Sequence, residues 1–388
     1  MMYLPIKLHV TGSRLSLMIE YDVAIIGGGL LGSAFAWGLT RRGQKVVVFD
    51  EGDAAIRTAR GNFGLVWVQS KGAGMPQYAG WSLRASNLWD DLAAELLENT
   101  GIDVHYVKEG YNILATEAEL EKAIERQKQI QIEMGDGAYN FEVLDHKTLK
   151  KHAPEISNQV PGAIFTGHDG HCNPLFLMRA LQQDLQEKGA HYKPNSQISK
   201  IEPIDGGGFV IYGANERKLV NVEKVVVSAG HGSKPLISDL GIDLPVHADQ
   251  GQVLVTEKVP PIMRFATGTV RQTDNGSFLL GASSKDIGLD ARTDLPTMAE
   301  VAKYCASVFP FVGKLRLQRA WGALRVMTPD GCPIYQQSAQ YPGLFSFACH
   351  SGVTLASTHA YDVANWIIDG AIPQNYTAFH PGRFNVSA

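Results

Sequence analysis

Long apolar runs are absent from this sequence of 388 residues. No stretch approaches the roughly 20 consecutive apolar residues that a membrane-spanning helix needs, so no transmembrane segment is predicted. A strong charge of one sign is absent too, because 35 basic and 39 acidic residues leave a net charge of −4. This charge balance does not predict the basic surface that is typical of nucleic-acid-binding proteins, and no nucleic acid is expected as a partner.

Cysteine is scarce, and the four cysteines lie far apart at positions 172, 305, 332 and 349. This spacing fits neither a zinc site nor a ferredoxin-type cluster, so no metal site is predicted. Few and widely separated thiols are typical of a reducing compartment, and we expect a cytoplasmic location.

The start of the chain lacks the clean apolar segment and the small-residue cleavage site of a signal peptide. Residues 1–17 are interrupted by Lys7, His9 and Arg14, and Met18 stands just before the first predicted strand. We expect residues 1–17 to be an N-terminal extension, or Met18 to be the natural start.

The stretch 21–52 has the pattern of a βαβ unit. Apolar runs over 23–26 and 45–49 predict buried parallel strands, and a helical pattern lies between them. The first strand is followed by Gly27, Gly29 and Gly32, which form G-x-G-x-x-G. Such glycines allow a tight turn and close approach of the backbone to a pyrophosphate, which also meets the free N–H groups of the helix N-terminus. The second strand ends in Asp50, which can bind ribose hydroxyls and favours FAD or NAD over NADP.

The rest of the chain alternates between helical and strand patterns. A second buried strand, 223–228, leads into the small-residue turn Ala229–Gly230, as expected where a nucleotide-binding domain resumes after an insertion. One long helix is predicted over 75–99, and antiparallel strands are predicted within 246–283.

Three pieces of the chain, 21–52, 225–230 and 321–354, have the order and spacing that make the chain resemble the D-amino-acid oxidase superfamily of FAD enzymes. Within these pieces, W-G-A-L-R (321–325) followed by T-P-D-G-C-P (328–333) is typical of that group. Within the superfamily, R-G-N-F-G-L-V-W-V-Q (60–69) and A-C-H-S-G-V-T-L-A (348–356) are similar to the catalytic β-subunits of D-hydroxyproline dehydrogenases and of octopine and nopaline oxidases, which are opine oxidases. Glycine oxidase, sarcosine oxidase and hydrogen cyanide synthase subunits are also similar.

The resemblance implies a mixed α/β fold like that of glycine oxidase, in which a Rossmann-type FAD-binding domain carries an inserted substrate domain with an antiparallel sheet. Residues 20–90, 160–240 and 320–370 would form the FAD-binding domain, and residues 91–159 and 241–319 the substrate domain. FAD would be bound non-covalently. The residues implied around it are Gly27, Gly28, Gly29, Leu31, Gly32, Asp50, Glu51, Arg60, Asn62, Phe63, Gly64, Leu65, Val66, Ile198, Ala229, Gly230, Ser351, Gly352, Val353 and Thr354.

Three further residues are implied on the substrate side. Arg325 matches the arginine that clamps the substrate carboxylate, a role that suits a bidentate guanidinium, although a surface salt bridge is the alternative. His350 takes the place of a second arginine of glycine oxidase and would face substrate or flavin, unless it is only structural. Glycine oxidase has an active-site tyrosine on the strand matched by 268–271. This chain has no tyrosine at 268–271, which favours a substrate larger or more polar than glycine. Arg271 on the same strand would face either the substrate or solvent.

The expected reaction is oxidation of a C–N bond, with hydride transfer from the α-carbon to the flavin. The resemblance implies a catalytic β-subunit that acts on D-hydroxyproline or an opine. Its partners would be a larger α-subunit and a small [2Fe-2S] subunit, with an FMN at a subunit interface. The alternatives are a free-standing oxidase that uses oxygen and a non-catalytic flavin subunit for assembly or electron relay.

Overall fold

The structure, a computed structural model, describes residues 19–52, 58–135, 137–281 and 283–385. The expected N-terminal extension, 1–17, and Met18 lie outside the described residues. The strands are β1 (Tyr21–Ile26), β2 (Val46–Phe49), β3 (Leu65–Val66), β4 (Gly110–Leu114), β5 (Glu142–Asp145), β6 (Gly162–Phe165), β7 (Gly170–His171), β8 (His191–Lys193), β9 (Ile198–Pro203), β10 (Phe209–Gly213), β11 (Lys218–Val227), β12 (His247–Lys258), β13 (Ala266–Thr267), β14 (Val270–Gln272), β15 (Ser277–Leu280), β16 (Leu317–Met327), β17 (Ile334–Gln337) and β18 (Leu344–Ala348).

The helices cover the two large sheets and close the chain. They are α1 (Leu30–Thr40), α2 (Pro76–Asn87), α3 (Trp89–Thr100), α4 (Glu117–Met134), α5 (His146–His152), α6 (Pro174–Glu187), α7 (Ser233–Ile237), α8 (Leu295–Val308), α9 (Ala356–Thr358) and α10 (Ala364–Asp369), with a π-helical turn at His359–Val363 between the last two. The single helix predicted over 75–99 is wrong, because the chain breaks at Leu88 into α2 and α3. Across the described part of the chain, no helix is both long and apolar enough to cross a membrane.

The first sheet has the strand order β17-β18-β11-β1-β2-β8, with β10 paired to β11 and β9 paired to β10. Strand β1 pairs in parallel with β11 and β2, so that Ile26 lies opposite Val227 and Phe49. Alternate residues of β1 enter different cores, as the period of a strand requires. Val23 and Ile25 face the helices, and Ala24 and Ile26 lie in a core with β9 and β10.

The second sheet has the order β16-β12-β15-β14-β13-β4-β6-β5 and is antiparallel except between β13 and β4. Its core contains apolar residues of α8. Strand β6 pairs with β4, and β16 pairs with β12. The expected boundary at 160 falls just before β6, and the boundary at 320 falls within β16. Hydrogen bonding therefore assigns both strands to the second sheet, whereas the predicted boundaries place β6 and most of β16 in the FAD-binding domain.

Candidate functional site

A cleft of about 410 Å³ opens where the carboxyl ends of β1, β2 and β11 meet. Ligands of open α/β sheets bind at such a place. Gly27, at the end of β1, has φ 102°, and a Cβ there would lie 2.7 Å from the Cα of Ala229. Glycine is required because the turn after β1 passes against the turn after β11.

The other two glycines of the motif have different roles. Gly29 precedes α1, which has no side-chain cap among the described residues, and a Cβ on Gly29 would meet nothing within 4 Å. The backbone is therefore open to the cleft where the first N–H groups of α1 can receive a phosphate. A Cβ on Gly32 would lie 1.9 Å from the carbonyl oxygen of Gly27, so Gly32 permits the packing of α1 on β1.

Asp50 lines the same cleft at the end of β2. Its Oδ2 accepts a hydrogen bond of 2.8 Å from the N–H of Gly28, and its Oδ1 accepts one of 3.0 Å from the N–H of Gly52. The carboxylate is thus held between two turns, where an acid can accept hydrogen bonds from a ribose.

The cleft brings together half of the residues predicted around the cofactor. Gly28 and Gly32 do not line it, and the side chain of Tyr192 would meet a Cβ on Gly28 at 2.6 Å. Arg60, Gly64 and Val66 line neither this cleft nor the cavity beside it. The predicted residues that do line the cleft are Gly27, Gly29, Leu31, Asp50, Glu51, Asn62, Ile198, Ala229, Gly230 and Gly352.

A second cavity of about 250 Å³ adjoins the cleft, and Thr58, Asn62 and His350 line both. We call it the adjoining cavity. It lies between the loop that follows residue 58 and the paired strands β12 and β16. Its further predicted residues are Phe63, Leu65, Arg325, Ser351, Val353 and Thr354.

The loops on either side of the cavity are tied to each other. Thr354 Oγ1 accepts a hydrogen bond of 3.0 Å from the N–H of Trp67, and the same hydroxyl donates one of 3.3 Å to the carbonyl oxygen of Leu65. The backbone N–H groups of 352–354 make no hydrogen bond within the described residues. Gly352 lines the cleft, and Val353 and Thr354 line the adjoining cavity, so the predicted role of these N–H groups towards the flavin stays a prediction.

Arg325 lines the adjoining cavity from β16. Its Nη1 lies 2.5 Å from Asp249 Oδ2, and its Nη2 donates to the carbonyl oxygen of Ser283 at 2.9 Å. The side chain is 31% exposed, so the guanidinium is held at the cavity wall rather than sealed in the interior. The structure therefore combines the two alternatives for this residue, a salt bridge and a position on the cavity.

His350 stands between the cleft and the adjoining cavity. The nearby charge of Lys71, burial, and the charge of Arg325 together hold the pKa of His350 well below its ordinary value. Its Nδ1 lies 3.2 Å from Ser351 Oγ, which is 2.7 Å from the hydroxyl of Tyr78. The surroundings of His350 therefore disfavour its protonated form, and the ring is linked to Tyr78 by a short chain of hydroxyl groups.

Arg271 is only 3% exposed, so the solvated strand arginine is wrong. It does not line either cavity, so the structure does not bring it to the other predicted substrate-side residues. Its Nε donates to the carbonyl oxygen of Phe63, and its guanidinium carbon lies 5.8 Å from the centre of the Phe63 ring. Burial lowers the pKa of Arg271 to about 10. Strand β14 is buried throughout, which directs Arg271 against the loop that carries Phe63.

Sequence reasoning missed Lys71, Gln252 and Thr58, all of which line the adjoining cavity. A signal for Lys71 was present, because it is the single charged residue between Arg60 and Arg84. A lone cation in a long uncharged segment beside a cofactor motif is unusual for a solvated surface. For Gln252 and Thr58 the sequence carries no comparable signal.

Comparison with known proteins agrees with this geometry. A family model described as FAD dependent oxidoreductase (DAO) matches residues 22–366. The opine oxidase subunit designated B of Agrobacterium tumefaciens (strain Ach5) is 38% identical over 369 residues, which cover 95% of this chain and 99% of that protein. Hydrogen cyanide synthase subunit HcnC of Pseudomonas aeruginosa is 22% identical over 407 residues, with coverage of 94% and 96%.

The fold has a close counterpart among solved structures. The crystal structure of glycine oxidase from Geobacillus kaustophilus superposes with a TM-score of 0.82 at 23% identity, covering 93% of this chain and 98% of that one. The chain belongs to the DAO family of FAD-dependent oxidoreductases, and the predicted family, fold and cofactor are confirmed. The residues of the cleft fit FAD, since an uncapped helix N-terminus, an open glycine and an acid stand where pyrophosphate and ribose would be held.

Proposed function

We propose that this chain is the catalytic β-subunit of a multi-subunit dehydrogenase that oxidises the C–N bond of a secondary amino acid, such as D-hydroxyproline or an opine. The main support is the adjoining cavity, which shares Thr58, Asn62 and His350 with the cleft. A small acid bound there would meet the cofactor at the shared wall. The likeness to an opine oxidase subunit supports both the substrate class and the subunit role.

Arg325 is the residue that we assign to the substrate carboxylate. A guanidinium binds a carboxylate with paired hydrogen bonds. The guanidinium of Arg325 already forms an ion pair with one carboxylate, that of Asp249. Non-covalently bound FAD would supply the electron acceptor for hydride from the substrate α-carbon. The role of the protein would be to orient the α-carbon of the substrate and to exclude water from the site. Phe63, Trp67 and Val353 supply apolar walls for this purpose.

The proposal includes partners for the chain. A larger α-subunit and a small [2Fe-2S] subunit would carry the electrons onward, with an FMN at a subunit interface. We place the assembly in the cytoplasm. All four cysteines are free and buried, which is compatible with a reducing compartment.

Anaerobic bleaching of the flavin tests the proposal. Purified protein with FAD is mixed in turn with cis-4-hydroxy-D-proline, D-proline, octopine, nopaline, sarcosine and glycine, and the flavin absorbance is followed. We expect bleaching by a cyclic or opine substrate and slow recovery in air. Rapid recovery with release of peroxide would instead identify a free-standing oxidase. Absence of bleaching by every amine, also after co-purification with native partners, would identify a non-catalytic flavin subunit.

A further inference from the structure

The adjoining cavity contains few groups that can take up a proton. Among the described residues that line it there is no carboxylate, and the side chains with a basic nitrogen are Lys71, Arg325 and His350. A guanidinium stays protonated in proteins and cannot act as a base. The candidates for a proton acceptor in this cavity are therefore Lys71 and His350.

The two candidates differ in their surroundings. His350 lines both the cavity and the cleft, and the charge of Lys71, burial and the charge of Arg325 hold its pKa well below the ordinary value. An imidazole in this environment accepts a proton only weakly. The same influence of Lys71 on His350 means that the amine of Lys71 lies close to the wall that the cavity shares with the cleft.

A buried acid fixes the turn that carries Lys71. Asp169 is fully buried, and its Oδ1 accepts hydrogen bonds of 2.6 Å from the N–H of Val68 and 3.3 Å from the N–H of Gln69. The turn closes with a hydrogen bond of 3.1 Å from the N–H of Lys71 to the carbonyl oxygen of Val68. Asp169 therefore holds the backbone just before Lys71.

The residues on either side of Lys71 have left-handed backbone conformations. Ser70 has φ 64° and Gly72 has φ 76°, and a Cβ on Gly72 would lie 2.2 Å from the backbone nitrogen of Ala79. A residue other than glycine keeps such a conformation only where its surroundings enforce it. The position of Lys71 at the cavity is therefore set by packing and by Asp169.

Several charged or titratable groups surround the amine of Lys71. Those that act on its charge are Arg126 on α4, Asp169, Arg325 on β16 and Cys349, and Lys71 in turn acts on His350. Burial and the charge of Arg126 lower the pKa of Lys71 to about 8, whereas the charge of Asp169 opposes this shift. Part of the amine is therefore unprotonated at neutral pH, as a general base requires.

The proposed reaction needs such a base. An aliphatic amine in water is mostly protonated at pH 7, and an ammonium nitrogen has no free electron pair with which to form a C=N bond. A substrate that enters the cavity as an ammonium ion must lose one proton before hydride can leave the neighbouring carbon.

We propose that Lys71 is the base that takes this proton from the substrate nitrogen, and that Asp169 positions Lys71. The inference rests on the proposed function and adds a catalytic residue to it. In the step, an N–H bond of the substrate ammonium breaks and an N–H bond of Lys71 forms, while the electron pair stays on the substrate nitrogen. That pair forms the C=N bond when hydride leaves the α-carbon for FAD, and the product is an iminium ion.

A first measurement reads the titration of Lys71 without turnover. FAD-loaded protein is labelled with a trace of acetic anhydride between pH 6 and 11, and acetylation of Lys71 is quantified by peptide mass spectrometry. Because only the unprotonated amine reacts, the midpoint of the curve gives the pKa of Lys71. We expect a midpoint near 8, and a lower one in Asp169→Asn, which keeps an acceptor for the backbone but loses the charge. A midpoint near the ordinary lysine pKa of about 10.4 would overturn the inference.

A second measurement is the rate of anaerobic flavin bleaching by the amine that reduces the wild type. We expect Lys71→Met to lower this rate at pH 7 roughly 100- to 10,000-fold, the contribution of a general base. Lys71→Arg should not restore it, because a guanidinium keeps the charge but cannot accept a proton. Added methylamine should restore part of the rate in Lys71→Ala, since a free amine can replace the missing base. Lys122→Met, an exposed change on α4, should behave as wild type.

The outcomes separate this inference from the function on which it rests. Recovery of the rate in Lys71→Arg, without rescue of Lys71→Ala by methylamine, would mean that only the charge of Lys71 is used and would reject the base. Wild-type bleaching by Lys71→Met would reject it too, and loss of the rate in His350→Asn would then give the role to His350. Absence of bleaching of the wild type by every amine would refute the proposed function and the base together.

Discussion

At the scale of single residues, the motif G-x-G-x-x-G contains glycines that act for different reasons. A Cβ on Gly32 would lie 1.9 Å from a carbonyl oxygen of the preceding turn, whereas a Cβ on Gly29 would meet no protein atom within 4 Å. Gly32 is required by the fold of the protein alone. Gly29 is open to the cleft, and we expect its role to lie in binding the ligand of the cleft.

This difference predicts opposite outcomes for two alanine variants. Gly32→Ala should lower the melting temperature of the FAD-free protein by several degrees or prevent folding, because helix α1 would have to move away from β1. Gly29→Ala should leave the melting temperature of the FAD-free protein nearly unchanged and weaken FAD binding. Scanning calorimetry of the stripped proteins and FAD titration measure both effects. Equal destabilisation of the FAD-free protein by the two changes would contradict the assignment.

Arg325 allows a test of substrate anchoring. We expect Arg325→Ala to lower kcat/KM for acidic amines by roughly 10- to 100-fold or more, because a charge-assisted pair is lost and Asp249 loses its ion pair beside the cavity. Arg325→Lys should recover only part of the activity, since an ammonium group cannot form paired hydrogen bonds. The matched control is Arg319→Ala, at the exposed end of the same strand. Wild-type kcat/KM in Arg325→Ala for every acidic substrate would refute the role.

At the scale of elements, the terminal helices are joined to the first sheet by a buried polar contact. His359, in the π-helical turn, is fully buried, and its Nε2 lies 2.6 Å from the hydroxyl of Tyr335 in β17. Trp81 Nε1 donates to the same hydroxyl at 3.2 Å. Burial lowers the pKa of His359 to about 3, so the folded protein holds this histidine neutral.

The buried histidine predicts a loss of stability in acid. The unfolded chain takes up a proton near the ordinary histidine pKa of about 6.5, whereas the folded chain does so only near pH 3. The contribution of His359 is therefore complete above pH 6.5 and falls as pH falls towards 3. The free energy of unfolding, measured by urea titration from pH 7 to 4, should fall less steeply in His359→Gln than in wild type. Parallel slopes would show that His359 does not contribute.

At the scale of the whole molecule, the two sheets meet at the site. Strands of the first sheet form the cleft, and β12 and β16 of the second sheet form one wall of the adjoining cavity. A cofactor in the cleft and a substrate in the cavity would contact both halves of the chain. Ligand binding should therefore stabilise the molecule as one unit.

The cleft predicts which nucleotides stabilise the FAD-free protein. FAD and ADP should both raise the melting temperature, since a ligand at 100 times its Kd contributes about 2.7 kcal/mol. ADP that carries a 2′-phosphate should do so much less, because Asp50 and Glu51 line the cleft and would repel the extra phosphate. Thermal shift with the three nucleotides at equal concentration is the measurement. An equal rise in melting temperature with ADP and with its 2′-phosphate derivative would contradict the assigned ribose site.

The sequence by itself determined the nucleotide half of this protein. The βαβ unit depends on residues that are close along the chain, where strand, glycine turn, helix and acid each follow from local spacing and backbone chemistry. The cleft residues at Gly27, Gly29 and Asp50 were therefore accessible to prediction. The motifs at 60–69 and 321–333 supported the family resemblance, and that resemblance predicted the fold of the whole chain.

Only the tertiary structure decided the positions of the long side chains of Arg271 and Lys71. Arg271 lies against the loop of Phe63 because β14 is buried on both faces, and that burial depends on pairing with β13 and β15. Lys71 reaches the cavity because Asp169, about 100 residues later in the chain, fixes its turn. Contacts between residues distant in sequence depend on which strands pair and how the layers pack, and the local pattern of a chain does not carry that information.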